Sequence, residues 1–401
     1  MTYIYIYTMN KLINTLKTKL DISDDAFSVT NDNFYKRLES GDPLSLIIGE
    51  AYMAGEWTGD LPDFFRKVMV VDNYGDLLRN SLRESPIKSS KLIVSAIWNE
   101  FKTQVTDTVR NNQSRTLLTR TCEHYAIPEI MYKYMLDEHL QYTSGYWKSD
   151  TTTLDEAQHN KLNCLIEKLN IPLDKECSVL DIGCGFGCLA NLIAKRYPLC
   201  NVVGCSISRE HINFSNETYG SKNSRLEYHL CDYRDIDSLG KKFDRIVSVE
   251  MTEHVGIRNL SSFYDICASV LTDDGLMVIQ VMNSLNQSKY INGCDKYTTD
   301  PFIDKYIFPA SYLATVPQFS SHMNGKFIVR EVKGFTGSYE KTLRCWHDNL
   351  LTNWTTIQAS DTSFFTQSVF NMMEFYLQSC AVLFELDKLQ VNYFVLEKSV
   401  I

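Results

Sequence analysis

The strongest constraint on how this chain can fold is an alternation that begins after residue 160, where short β-branched runs are separated by helix-length segments. Ser178-Val-Leu-Asp-Ile182, Asn201-Val-Val-Gly-Cys-Ser-Ile207, Leu226-Glu-Tyr-His-Leu230, Arg245-Ile-Val-Ser-Val249 and Gly275-Leu-Met-Val-Ile-Gln-Val-Met282 read as strands. Helices are expected over 188–196, from a cap at Ser208 onward, and over 260–271. Strands that alternate with helices are joined by crossovers and pair in parallel, which predicts an α/β, doubly wound sheet. The run Leu389-Gln-Val-Asn-Tyr-Phe-Val-Leu396 arrives after two helices and is expected to join that sheet antiparallel, at or near its edge.

The first 115 residues lack this rhythm. Helical patterns alternate there with polar turns, which predicts a small, mainly helical N-terminal domain over 1–115 and a larger domain over 116–401. The polar, non-periodic Arg110-Asn-Asn-Gln-Ser-Arg-Thr116 reads as the linker, and the basic, Ser-rich stretch 83–91 as a loop. With 44% hydrophobic residues the chain can bury a large core. A net charge of −9 argues against a nucleic-acid partner, which needs clustered Lys and Arg. The 12 cysteines show no CxxC or Cys/His spacing, so no metal is expected and the thiols read as free in a reducing cytosol. No apolar run approaches the roughly 18 residues of a transmembrane helix, and the opening segment lacks a basic flank and a cleavage site, so a cytoplasmic protein is expected.

The sharpest local signal is Val179-Leu-Asp-Ile-Gly183-Cys-Gly185-Phe-Gly187, set between the first strand and the first helix of the sheet. Glycines there permit a tight turn and let a ligand lie on bare backbone, at the strand ends where such sheets bind ligands. The spacing lacks the third glycine of a dinucleotide fingerprint, and an acid, Asp181, precedes the first glycine. A nucleoside without phosphates, S-adenosylmethionine, fits that pattern better than a pyrophosphate. Ser206, Ile207 and Ser208 end the second strand, where a ribose would lie, although Ser208 also suits a plain helix cap. Asp232 and Tyr233 end the third, where an adenine would lie.

Several separate segments, in order, resemble the cyclopropane-fatty-acyl-phospholipid synthases and their mycolic-acid relatives. They are 179–187, Cys231-Asp-Tyr-Arg-Asp235, Phe243-Asp-Arg-Ile-Val-Ser-Val249 and Glu253-His254-Val-Gly256. Asn33-Phe-Tyr-Lys-Arg37, Gly49-Glu-Ala-Tyr-Met-Ala-Gly-Glu-Trp57, Tyr142-Thr-Ser-Gly-Tyr-Trp147, Ile303-Asp-Lys-Tyr-Ile-Phe-Pro309 and Tyr339-Glu-Lys-Thr-Leu-Arg-Cys-Trp346 extend the likeness over most of the chain. The resemblance implies a class I methyltransferase domain with a seven-stranded, Rossmann-like sheet containing one late antiparallel strand, beside an N-terminal domain that engages lipid. It implies methyl transfer from S-adenosylmethionine to the double bond of an unsaturated acyl chain of a membrane phospholipid, with a cyclopropane or methyl-branched product, peripheral membrane contact and a possible homodimer. The base in that chemistry is implied to be a bound bicarbonate, held by a Cys, a Glu, a His, a backbone group and a Tyr. Those positions carry over to Ser144, Glu253, Gln280, the backbone of Met282, and Tyr339, so two of the four side chains differ here. The cofactor contacts carry over to Tyr142, Thr143, Gly183, Gly185, Ser206, Ile207 and His211.

Two rival readings remain open from the residues. Glu250-Met-Thr-Glu253-His254, where the bacterial lipid enzymes usually have glycine at the position of Glu250, resembles plant alkaloid N-methyltransferases, as does Asp150-Thr-Thr-Thr-Leu-Asp-Glu-Ala157. In that reading the carboxylates attract a small cationic amine, and Glu253 or His254 takes its proton. The plainer role for Glu250 and His254 is to brace a strand end, and for Tyr339 to pack. The second rival is a lipid-binding protein that has lost catalysis, which Ser144 and Gln280 keep open.

Overall fold

The computed structural model describes residues 2–38, 40, 42–70, 127–150, 152–285, 300–335 and 337–399. The expected linker at 110–116 and the loop at 83–91 lie outside the described residues.

The expected sheet is present. Its strands are β3 (Cys177–Ile182), β4 (Cys200–Ser206), β5 (Leu226–Leu230), β6 (Phe243–Val249), β7 (Leu271–Ser284), β8 (Phe327–Gly334) and β9 (Leu389–Lys398), after a two-stranded ribbon of β1 (Ser28–Val29) and β2 (Trp57–Thr58). The seven strands lie in the order β5-β4-β3-β6-β7-β9-β8. Strands β3 to β7 pair in parallel, and β9 runs antiparallel between β7 and β8. The late strand thus enters next to the edge, and the edge itself is β8, which the sequence reading missed. Its alternation is masked because Ile328, Val329 and Val332 are exposed on a strand with one unpaired side.

Both faces of the parallel strands are covered, so they read as continuous apolar runs. Val179, Val202, Val247 and Val278 face one core, while Leu180, Val203, Ile246 and Ile279 face the other. Each such side chain contributes on the order of 1.5–3 kcal/mol by leaving water.

The N-terminal elements are α1 (Thr2–Leu20), α2 (Asn33–Arg37), α3 (Leu44–Met53) and α4 (Leu61–Met69). Phe27 packs on Phe34, Trp57 and Phe64 with ring centroids 4.7–5.6 Å apart. The helices that follow are α5 (Glu129–Met135), α6 (Leu154–Lys168), α7 (Cys188–Arg196), α8 (Arg209–Thr218), α9 (Leu260–Val270), α10 (Pro301–Tyr306), α11 (Val316–Met323), α12 (Ser338–Ser360) and α13 (Gln367–Glu385). The N-terminal helices dock on the last of these. The Tyr52 hydroxyl donates to Glu374 at 2.7 Å, Arg66 donates to Glu385 at 2.6 Å, and Phe65 meets Phe375 at 5.0 Å. Gly49 of α3 lies so close to α10 that a Cβ there would sit 2.2 Å from the Phe302 ring.

The start of α7 rests on Gly187. Its φ is +80°, and a Cβ would stand 2.6 Å from Ser215 Oγ and 2.7 Å from Tyr228 Cε1. The Tyr228 hydroxyl donates to the Gly187 carbonyl at 2.5 Å, which locks this approach. Gly187→Ala combines a left-handed backbone with overpacking, and the expected loss is about 2–4 kcal/mol, read as a lower denaturation midpoint with an unchanged m-value.

Candidate active site

The parallel strands deliver their carboxyl ends to one side of the sheet, and the glycine turn sits at their centre. The Gly183 and Cys184 amides donate to the Cys205 carbonyl at 2.9 and 3.0 Å, tying the turn after β3 to β4. Gly183 and Gly185 have φ of +80° and +53°. A Cβ on Gly183 would strike Met251 at 2.6 Å, whereas one on Gly185 would meet nothing within 4 Å among the described residues. The turn therefore presents bare backbone to a cavity of about 190 Å³.

Tyr142, Thr143, Asp181, Gly183, Gly185, Ser206, Ile207, Ser208, His211, Asp232 and Tyr233 all line this cavity. Gly187, expected among them, does not; it belongs to the helix packing described above. Ser208 has the double role foreseen for it, since its hydroxyl accepts from the His211 amide at 3.3 Å to cap α8. Asp232 accepts from the Arg234 side chain at 3.0 and 2.5 Å while bordering the cavity, and Tyr233 packs edge-on to Phe263 at 5.4 Å. Phe186, Tyr132 and Gln141 also line the cavity and were missed. Phe186 lies inside the glycine turn and packs at a tilt on His211 with ring centroids 4.3 Å apart, so its position was the available signal.

Asp181 is the most telling polar group of this half. It is 2% exposed, and its Oδ2 has no hydrogen-bond partner among the described residues. Burial pushes its carboxyl up to about 7, against the opposing pull of Lys161. An orphaned acceptor beside bare glycine backbone, with hydroxyl groups at the next strand end, fits the amino-acid, nucleoside and ribose parts of S-adenosylmethionine.

The opposite wall is built where β6 ends. The β6–β7 register pairs Val249 with Gln280, and the Glu250 amide continues the ladder by donating to the Gln280 carbonyl at 2.7 Å. Glu250 has φ of +48°, a left-handed conformation uncommon outside glycine and costing roughly 1–3 kcal/mol. Its Oε1 accepts from the Ser144 amide at 3.0 Å and from Gln280 Nε2 at 2.8 Å, and the Tyr339 hydroxyl faces the same carboxylate. The Ser144 hydroxyl turns away and donates to the Gly145 carbonyl at 3.0 Å. Glu253 accepts from the Met282 amide at 2.6 Å. Of the expected catalytic residues, Glu250 and His254 line the cavity, while Ser144, Glu253, Gln280 and Tyr339 stand behind it.

These groups are electrostatically perturbed. Burial raises the Glu250 carboxyl, with its hydrogen bonds to Gln280 and Ser144 pulling the other way. Burial and the charge of Glu250 push Glu253 up to about 8. Burial lowers His254 to about 4, so the imidazole is neutral at physiological pH. Behind Thr143 lies Lys161, wholly buried, which donates to Gln141 Oε1 at 2.7 Å and Thr143 Oγ1 at 2.9 Å. Burial lowers its ammonium to about 8, opposed by Asp137, Glu250 and Asp181. Nothing in the sequence marked it, because a lysine in an amphipathic helix ordinarily reads as a solvated face.

Residues 112–394 match the family model described as mycolic acid cyclopropane synthetase. A cyclopropane-fatty-acyl-phospholipid synthase of Escherichia coli is 31% identical over 374 residues, 93% of this chain and 87% of that protein. A sphingolipid C9-methyltransferase of Candida albicans is 34% identical over 241 residues, 58% of this chain and 46% of that protein. Among solved structures, a mycolic acid cyclopropane synthase complexed with SAH and CTAB superposes with a TM-score of 0.62 at 27% identity, covering 70% of this chain and 98% of that one. Coclaurine N-methyltransferase, with a TM-score of 0.64 over 88% of this chain and 98% of that one, is 17% identical and shares the fold alone.

Asp181 provides a test of the cofactor site. Below about pH 7 its carboxyl is protonated and neutral; above it, the carboxylate can hold an ammonium group. The affinity for S-adenosylhomocysteine, measured by calorimetry, is therefore expected to rise between pH 6 and 8, by up to about tenfold per unit on the acid side. Asp181→Asn should bind weakly and flatten that profile, and an unchanged profile would remove Asp181 from the site.

Proposed function

The chain belongs to the mycolic acid cyclopropane synthetase family and is an S-adenosylmethionine-dependent methyltransferase, and we propose that it methylates the double bond of an unsaturated acyl chain of a phospholipid, with a cyclopropane as the product. The bound cofactor supplies an electrophilic sulfonium methyl. The protein has to hold an apolar chain against that methyl, exclude water, and stabilise positive charge that develops on the chain.

The observation that carries the reading is an aromatic cluster that reaches the cavity through Tyr142 and His254. Tyr142 borders the cavity, with Trp346 at 5.2 Å and Phe308 at 6.1 Å from its ring. Phe308 in turn packs on His254 at 5.8 Å and Tyr376 at 5.7 Å. Ring faces attract a cation without offering a nucleophile to trap it, which is what a carbocation within a hydrocarbon chain requires. The neutral His254 adds no opposing charge. The likeness to the Escherichia coli lipid synthase supports the same reading, because it spans 93% of this chain. In this reading the N-terminal helices engage the lipid surface. Among the described residues no helix is long and apolar enough to cross a membrane, which is consistent with a substrate reached from the bilayer surface.

Methylation of a small amine is the second reading, favoured by the acid pair Glu250 and Glu253 beside His254. It asks Glu253 or His254 to take the proton of the amine. Glu253 is committed to the Met282 amide behind the wall, which leaves His254 for that role.

The deciding experiment is incubation of the full chain with methyl-labelled S-adenosylmethionine and vesicles of unsaturated phospholipid, followed by lipid mass spectrometry. The expected result is acyl chains heavier by one methylene unit that resist hydrogenation. Unlabelled lipid, with label on amines of a metabolite extract instead, would replace this reading with the second.

A further inference from the structure

The resemblance assigns the base to a bicarbonate held by the positions of Ser144, Glu253, Gln280, Met282 and Tyr339. In this structure the donors at four of those positions are directed at Glu250 or Glu253. The Ser144 amide and Gln280 Nε2 donate to Glu250 Oε1, Tyr339 faces the same carboxylate, and the Met282 amide donates to Glu253. Gln280 Oε1 is buried without a hydrogen-bond partner among the described residues, and an acceptor on that side chain does nothing to hold a further anion. Glu250 is 8% exposed, and it alone of the carboxylate and its holders opens on the cofactor cavity. The residues present do not fit a bound bicarbonate, because a carboxylate of the chain already fills the cage.

We infer that Glu250 replaces the bicarbonate and is itself the group that takes the proton from the transferred methyl. This rests on the acyl-chain reading above. The alkene carbon forms its new bond to the methyl as the carbon–sulfur bond breaks and S-adenosylhomocysteine leaves. The neighbouring carbon becomes cationic. A proton then passes from the new methyl to the Glu250 carboxylate, and the carbon–hydrogen electron pair closes the three-membered ring. Carboxylate and bicarbonate share the planar oxygen pair that this step uses, so the exchange keeps the chemistry and removes the need for a dissolved co-reactant. The left-handed backbone of Glu250 is what turns the side chain into the cage.

The test has two arms, each on the full chain. In equilibrium dialysis with radiolabelled bicarbonate, the wild type is expected to bind none, whereas Glu250→Gly, which empties the cage, binds it saturably. In the vesicle assay, wild-type cyclopropane formation is expected to be unaffected by decarbonated buffer. Glu250→Gly should fall about 100-fold or more there and recover when bicarbonate is added. Glu250→Gln keeps the shape and an acceptor oxygen but cannot take the proton, so label should enter lipid without ring closure; circular dichroism checks that both variants fold. Bicarbonate binding by the wild type, no binding by a folded Glu250→Gly, or full ring closure by either variant in decarbonated buffer would each overturn the inference. If the wild type labels no lipid at all, the acyl reading fails by itself, and the dialysis still decides whether Glu250 occupies the cage.

Discussion

The site depends on a single backbone bond, that of the Glu250 amide to the Gln280 carbonyl. It extends the β6–β7 ladder one residue past the end of β6 and fixes where the chain must leave the sheet. Departure through a left-handed residue sends Glu250 towards Ser144 and Gln280, and it places Glu253 opposite the Met282 amide. The strain stored at Glu250 is of the kind that persists where neighbours over-determine a conformation. Here the neighbours are two hydrogen bonds from donors in different parts of the chain, 106 and 30 residues away in sequence.

Burial of charge is the cost of such a site, and the protein offsets it unevenly. Asp181, Glu250 and Glu253 all have carboxyls raised chiefly by desolvation. Lys161 lies within electrostatic reach of the first two, and its own ammonium is lowered by the same burial. Removing one partner from such a set leaves an uncompensated buried charge, so the lysine is a positioning residue for both halves of the cavity: it holds Gln141 and Thr143 at the cofactor end and opposes the desolvation of Glu250 at the other.

The parallel sheet, the glycine turn and the placing of the strand ends at the cavity were legible because each follows from local pattern: β-branched runs, positive-φ positions and helix caps. The late strand was legible because its β-branched and aromatic run follows two helices at the end of the chain. Strand β8 was not, since an edge strand with exposed Ile328 and Val332 lacks the inward-outward contrast on which pattern reading depends. Gly187 was assigned to the cofactor because it lies in the motif; its packing against Ser215 and Tyr228 is a tertiary fact with no sequence signature. Lys161 failed for the same reason. Glu253 was singled out from the sequence, but only the tertiary structure shows that it holds a backbone amide while Glu250 meets the cavity.

The three departures from the family pattern at this wall make physical sense as one change. A cage for a mobile anion benefits from a group that can carry positive charge, such as the histidine that the resemblance places at the position of Gln280. A cage for a tethered carboxylate needs neutral donors of fixed geometry, because the charge can no longer leave and a cation would draw it away from the reacting centre. Gln280 supplies such a donor at 2.8 Å, and the Ser144 backbone supplies another at 3.0 Å while its hydroxyl is occupied elsewhere. Serine and glutamine, read singly, weaken an anion site. Read with a glutamate where the bacterial lipid enzymes usually have glycine, they are the surroundings that let the chain carry its own carboxylate there.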